Sequence, residues 1–156
     1  MVSSFEQRII DDVEQYGWFG LSVAPRADSE DPQEWWTYTV GLSKSHGWPE
    51  FVVFGQTSDI ALSILGVAIE ECEKSGEIPQ NGQRLETTLK DFDAVLVDGS
   101  AIPDSYFNSA NWFARHSGGQ KPSRLQLMWP DKAGKFPFDP DCDPEVRSMQ
   151  TPMENE

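Results

Sequence analysis

Residues 35–56 read WWTYTVGLSKSHGWPEFVVFGQ. Two runs rich in aromatic and β-branched residues, Trp35 to Ser43 and Phe51 to Gln56, flank KSHGWPE, whose Gly47 and Pro49 suit a short hairpin connection. The pair predicts two antiparallel neighbours. A third strand-like run, Trp18 to Ala24, precedes them across the acidic loop PRADSEDPQE and makes a meander.

Working outward, Ser3 and Glu6 match the S-x-x-E capping box, and Phe5, Ile9, Val13 and Tyr16 recur at helical spacing until Gly17. This predicts a helix over 4–16. Downstream, Ile60, Leu62, Ile64, Leu65, Ala68, Ile69 and Cys72 cover a wide helical face between Ser58, the expected N-cap, and Gly76. Two strands are expected at Arg84 to Leu89 and Ala94 to Val97. Pro103 opens a further helix carrying Tyr106, Phe107, Ala110, Phe113 and Ala114, which ends near Gly118-Gly119. A last strand runs from Ser123 to Trp129. Strand runs interrupted by separate helices favour α+β over a βαβ parallel sheet. The expected fold is a single α+β domain: an antiparallel sheet or small barrel of about six strands, an N-terminal helix and two further helices. The domain is assigned to residues 1–138. The polar, Pro-containing segment 139–156 is expected to be a loose acidic tail.

The chain has 156 residues, the size of one domain, and its 38% hydrophobic content with six Trp and nine Phe marks a globular protein. Its 26 acids against 12 bases give a net charge of −14. This argues against binding nucleic acid or an anionic membrane, since both draw affinity from Lys and Arg. The absence of a signal-peptide pattern at the start and of a long apolar stretch predicts a cytoplasmic protein. Cys72 and Cys142 form no disulfide framework and are expected as reduced thiols.

The charge is uneven. Residues 1–34 hold eight acids and two bases, and 139–156 hold six acids and one base. Residues 105–138 carry Arg115, Lys121, Arg124, Lys132 and Lys135 against Asp131 alone, a local +4. Such a segment can hold a small anion or pair with the acidic ends of its own chain.

No metal site is expected, because His46, His116, Cys72 and Cys142 have no paired ligand spacing. Asp139-x-Asp141-x-Asp143 has the alternation of a calcium loop, but Pro144 stands at its sixth position and Gln150 at its twelfth. Neither a G-x-S-x-G nucleophile motif nor a phosphate-binding glycine motif occurs. No catalytic residue is assigned; the alternative is His46 in the turn, oriented by Glu50 as a general base. Arg115 and His116 fall in the last turn of a predicted helix, where cations complement the helix dipole. Alternatively Arg115, Lys121 and Arg124 form an anion clamp. Trp35 and Trp36 should face opposite ways on a regular strand, exposing one of them. Trp35 beside Glu34, with Asp28, Glu30 and Asp31, would make a partner-binding surface.

Tyr38-Thr39-Val40-Gly41-Leu42, His46-Gly47-Trp48-Pro49-Glu50 and Gly55, followed by Leu125-Gln126-Leu127-Met128-Trp129-Pro130-Asp131, Gly134 and Phe136-Pro137, together resemble a bacterial family, the domain of unknown function numbered four-two-six-two. The resemblance runs from about Gly17 to Asp139. Phe138 stands where the family's Trp would follow Phe-Pro. Membership implies a small bacterial domain and no assigned reaction. The strand order is also similar to flavin-reductase-like split barrels. That analogy implies an FMN or nucleotide phosphate held by Thr39, Ser43, Arg115, His116, Lys121 and Arg124. The leading expectation is a non-catalytic protein of the toxin-neutralising or regulatory kind, engaging a basic protein partner. The alternative is a flavin- or nucleotide-binding enzyme.

Overall fold

The computed structural model describes residues 2–24 and 35–151. The opening helix α1 is Ser4–Tyr16, capped as its sequence dictates: Ser3 Oγ accepts from Glu6 N, Glu6 answers Ser3 N, and Gly17 closes the last turn at φ 89°. The strands are β1 Phe19–Val23, β2 Trp36–Val40, β3 Glu50–Phe54, β4 Arg84–Leu85, β5 Ala94–Asp98 and β6 Arg124–Met128. Between them lie α2 Leu42–Ser45, α3 Ser58–Ser75, a 3-10 turn Asp104–Phe107 leading into α4 Asn108–His116, and finally α5 Pro144–Met149.

All six strands form one sheet in the order β1-β2-β3-β6-β5-β4. Every neighbouring pair is antiparallel except β3 and β6, which run parallel with Phe51 opposite Leu125. The fold is α+β as expected, but the sheet is mixed rather than antiparallel. A parallel pair needs a long crossover. Here α3, β4, β5 and α4 all lie between the two strands in sequence.

Alternation along β3 divides the core. Phe51 and Val53 join Ala61, Leu65, Ala68 and Cys72 of α3, with Leu96, Leu125 and Leu127. Val52 and Phe54 join Ile9 and Val13 of α1 with Tyr38, Val40, Phe107 and Phe113. The sheet is thus covered on both faces, and β3 is buried along its whole length.

Three further expectations change. The KSHGWPE connection contains helix α2 rather than a plain hairpin turn. The strand expected over Arg84 to Leu89 shortens to two residues because Glu71 takes the next backbone donors, Glu86 N at 2.8 Å and Thr87 N at 2.9 Å. Residues 139–151 are docked, not loose. Gln150 is buried; its side chain accepts from Trp129 N at 2.9 Å and donates to Trp129 O at 2.7 Å, and its own carbonyl accepts from Gln126 Nε2. Arg147 donates to the carbonyls of Pro137 and Asp139. A Cβ on Gly55 would come within 2.9 Å of Met149, so the glycine permits this close approach.

Candidate functional site

Glu50, at the start of β3, turns back into the connection from β2. Its Oε1 accepts from Thr39 Oγ1 at 2.7 Å and Leu42 N at 3.1 Å; its Oε2 accepts from Gly41 N at 3.1 Å, Ser43 N at 3.2 Å and Ser43 Oγ at 3.1 Å. These backbone donors are orphans of the α2 N-terminus, which a carboxylate satisfies in charge and geometry. Burial pushes the Glu50 carboxyl above its ordinary range, while the bonds from Thr39, Ser43 and Leu42 pull the other way. Gly41 makes the turn at φ 100°, where a Cβ would sit 2.6 Å from Val13. Thr39 and Ser43 therefore do meet an anion, but it is the chain's own Glu50. Thr39 Oγ1 also accepts from Phe51 N, which ties the strands together.

His46 does not meet Glu50. Its Nε2 lies 3.0 Å from Glu73 Oε2 and its Nδ1 lies 2.6 Å from Ser45 Oγ, while its ring packs on Trp48 at 4.3 Å. Ser45 gives its proton to Gly17 O at 2.6 Å. Ser45 is thus held by a backbone carbonyl as well as by the imidazole. The Ser45, His46 and Glu73 chain joins the end of α1, the end of α2 and α3. The pairing of His46 with Glu50 as a catalytic couple is thus corrected by the geometry.

The basic segment does not converge either. Arg124 is buried, donating to Asp104 Oδ1 at 2.8 Å, to Gly99 O at 3.2 Å and to Ile102 O, with its guanidinium over the Phe107 ring. Lys121 takes the other oxygen of Asp104 at 2.9 Å, and both cations hold that carboxyl below its ordinary range. Arg115 and His116 are exposed in the last turn of α4, where His116 stacks on Trp112. Lys135 pairs with Asp141 at 3.5 Å. Pairing with an acidic end of the chain is seen at Lys135, through Asp141, whereas Lys121 and Arg124 meet Asp104, which belongs to neither end.

Asp131 organises the turn after β6. Asp143 N, Lys135 N and Ala133 N donate to it and hold its carboxyl below the ordinary range. Asp139 accepts from Phe136 N, and Asp143 caps α5. Among the described residues no cluster of three or more His, Cys, Asp or Glu could hold a metal ion. Asp28, Glu30, Asp31 and Glu34 lie outside the described residues. Trp35 and Trp36 are both half-buried, so neither stands fully exposed; Trp36 Nε1 donates to Tyr106 O at 3.0 Å.

One open feature carries no motif in the linear chain. A groove of about 580 Å³ runs along the outer side of α3, between Ile60, Ile64 and Val67 on the helix and Leu89, Phe92 and Trp129 opposite. Ile60 is 51% exposed, Phe92 39% and Val67 38%, in a protein whose other α3 apolar residues face the sheet. Phe92 is presented by a tight turn in which Asp91 adopts φ 69°, a conformation that Asp tolerates better than most residues. Asp59 lines the groove, Asp91 and Asp93 flank Phe92, and Glu70 lies one turn beyond Val67; none of the four carries an ion pair among the described residues. The available signal was breadth: an apolar helix face that includes Ile60 is wider than one sheet face can cover.

The profile of the family described as "Domain of unknown function (DUF4262)" matches residues 12–143. The chain belongs to the DUF4262 family. The match spans both motifs that suggested it, and the geometry gives the DUF4262 motif residues structural work: Gly41 and Glu50 at the α2 turn, Gly55 and Trp129 beneath α5. No curated protein and no solved structure matches the chain. Among the described residues, no DUF4262 helix of this chain is long and apolar enough to cross a membrane.

Proposed function

We propose that this protein is a non-catalytic binding protein that receives a basic, amphipathic segment of a protein partner along the outer face of α3. The observation that carries the reading is the exposed apolar groove of Ile60, Val67, Leu89 and Phe92, lined by Asp59 and Lys90, with Asp91 and Asp93 adjoining Phe92 in the chain and Glu70 three residues past Val67, so that acids outnumber bases around it. Exposed contiguous apolar surface marks binding sites, and unpaired carboxylates at its rim select a cationic partner and speed its approach. The acidic loop residues Asp28, Glu30, Asp31 and Glu34 add to the chain's net negative charge, which favours a cationic partner. The cytoplasm is the assigned compartment, in keeping with two buried free thiols; burial, with Glu71 and Glu73 nearby, pushes the Cys72 thiol up to about 11. A toxin-neutralising or regulatory role fits such a surface. An FMN or nucleotide role has weaker support, since Thr39, Ser43, Lys121 and Arg124 are occupied by Glu50 and Asp104.

The test is fluorescence anisotropy with two labelled amphipathic peptides that share their leucines and differ only in carrying lysine or glutamate. The lysine peptide should bind and weaken as salt rises, and the glutamate peptide should not bind. Ile60→Ser with Phe92→Ser should weaken the lysine peptide by about tenfold, the effect of losing part of two apolar contacts. Equal binding of both peptides, or an unchanged affinity in the double variant, would overturn the reading.

A further inference from the structure

A second cavity, of about 470 Å³, lies on the other side of the same exposed α3 ridge and shares Ser63 and Val67 with the groove. Two aromatic side chains, Tyr16 and Trp18, and two carboxylates, Glu70 and Glu73, line it. Trp18 is partly buried against the α3 core, and its ring lies close to Gly66 and Gly20, where added Cβ atoms would fall 3.7 and 3.0 Å away. The link between α1 and β1 therefore supplies an indole packed against α3, while Tyr16 at the end of α1 is 65% exposed. Glu70 and Glu73, three residues apart on α3, present their charge to one face. Glu73 is shared with His46 at 3.0 Å; Glu70 has no ion pair among the described residues.

We infer that this cavity binds an organic cation, an alkylammonium or guanidinium group, between the aromatic rings and the two carboxylates. Aromatic faces attract cations through the ring quadrupole, and an alkylated cation gains more there than a strongly hydrated metal ion does. Carboxylates at the same wall exclude anions and supply the counter-charge. The inference rests on the reading of α3 as the binding face and deepens it. A partner segment whose apolar side chains fill the groove crosses the Ser63 and Val67 ridge and places a Lys or Arg head in this second cavity. A free small amine offers the same chemistry.

The experiment follows the indole N–H resonances of the intact chain by NMR, with the Trp18 signal assigned by its loss in Trp18→Phe. The probes are tetramethylammonium, the blocked amides of lysine and arginine, the blocked amide of glutamine, and the lysine peptide. The cations should shift the Trp18 signal saturably and the glutamine amide should not. Glu70→Gln, an exposed change that leaves the melting temperature in place, should weaken each cation by about fivefold. A peptide that shifts Trp18 far more tightly than tetramethylammonium identifies a partner side chain as the source; equal affinities identify a free amine. No saturable shift with any cation, or unchanged affinity in Glu70→Gln, would overturn the inference. If the lysine peptide binds the groove but neither it nor any small cation moves Trp18, this site fails and the groove stands. If tetramethylammonium shifts Trp18 while the peptide does not bind, the groove fails and this site stands.

Discussion

Two regions of this protein use carboxylates in opposite ways. At the α2 turn, Glu50 is 1% exposed and every oxygen it offers meets a donor, five in all from Thr39, Gly41, Leu42 and Ser43. Along the outer face of α3, Asp59 and Glu70 are exposed and meet no cation among the described residues. Glu71 stands between the two cases: it is half-buried, and the donors it serves come from Glu86, Thr87 and Thr88 beyond β4. The difference lies in the surroundings. A buried carboxylate persists only when its donors are all in place, so it reports architecture; an exposed, unpaired one is solvated and its charge is open to the surroundings.

The contrast is sharpest for Glu50→Gln. The amide turns an acceptor into a donor facing backbone N–H groups, and we expect a loss of about 3 to 5 kcal/mol of stability by urea unfolding at neutral pH. A loss under about 1 kcal/mol would mean that water reaches the turn and that the region is not sealed.

A smaller effect is expected at Glu71. Partial burial acts to raise its carboxyl, but the bonds from Thr87, Glu86 and Thr88 outweigh it and hold the group below its ordinary 4.5. Because the folded value is the lower one, Glu71 contributes fully above pH 4.5 and loses that contribution as pH falls through the folded value. Glu71→Gln should cost about 1 kcal/mol at neutral pH, kept low by partial exposure, and should flatten the acid limb of the stability profile. An unchanged acid limb would remove Glu71 from the sealed class.

The smallest effect belongs to the open region. Asp59→Asn with Glu70→Gln should leave stability within about 0.5 kcal/mol while slowing association of the lysine peptide at low salt. A substantial stability loss would show these carboxylates to be structural, and the comparison would collapse.

Much of the frame was legible in the linear chain. The Ser3 and Glu6 capping box and Gly17 placed α1 at its observed bounds, and the apolar run closed by Gly76 gave the span of α3, although its N-cap is Thr57 and Ser58, the expected cap, is already helical. The two motifs containing Gly41, Glu50 and Trp129 pointed to the family that the profile match establishes. The site was less legible. His46 and Glu50 are four residues apart and looked like partners, yet the α2 turn directs Glu50 inward and His46 toward Glu73, 27 residues away. Arg115, Lys121 and Arg124 are close in sequence, but Arg124 is buried and reaches out to the exposed Asp104 while Arg115 stays in solvent. The tail looked polar and loose because its anchor, Gln150, is itself polar and bonds a strand more than twenty residues earlier.

The sequence by itself determined α1 with its caps, the span of α3 and its closing glycine, the approximate strands and the uneven distribution of charge. These depend on spacings of one to four residues and on composition, which the linear chain carries directly. Tertiary structure alone decided that β3 lies parallel to β6, that Glu50 rather than a ligand fills the donors of Thr39 and Ser43, and that Ile60 and Phe92 are left uncovered. Each of those outcomes is a meeting, or a missed meeting, between residues distant in the chain. Which of two chemically suitable partners arrives first is settled by how helices and sheet pack, not by spacing along the backbone.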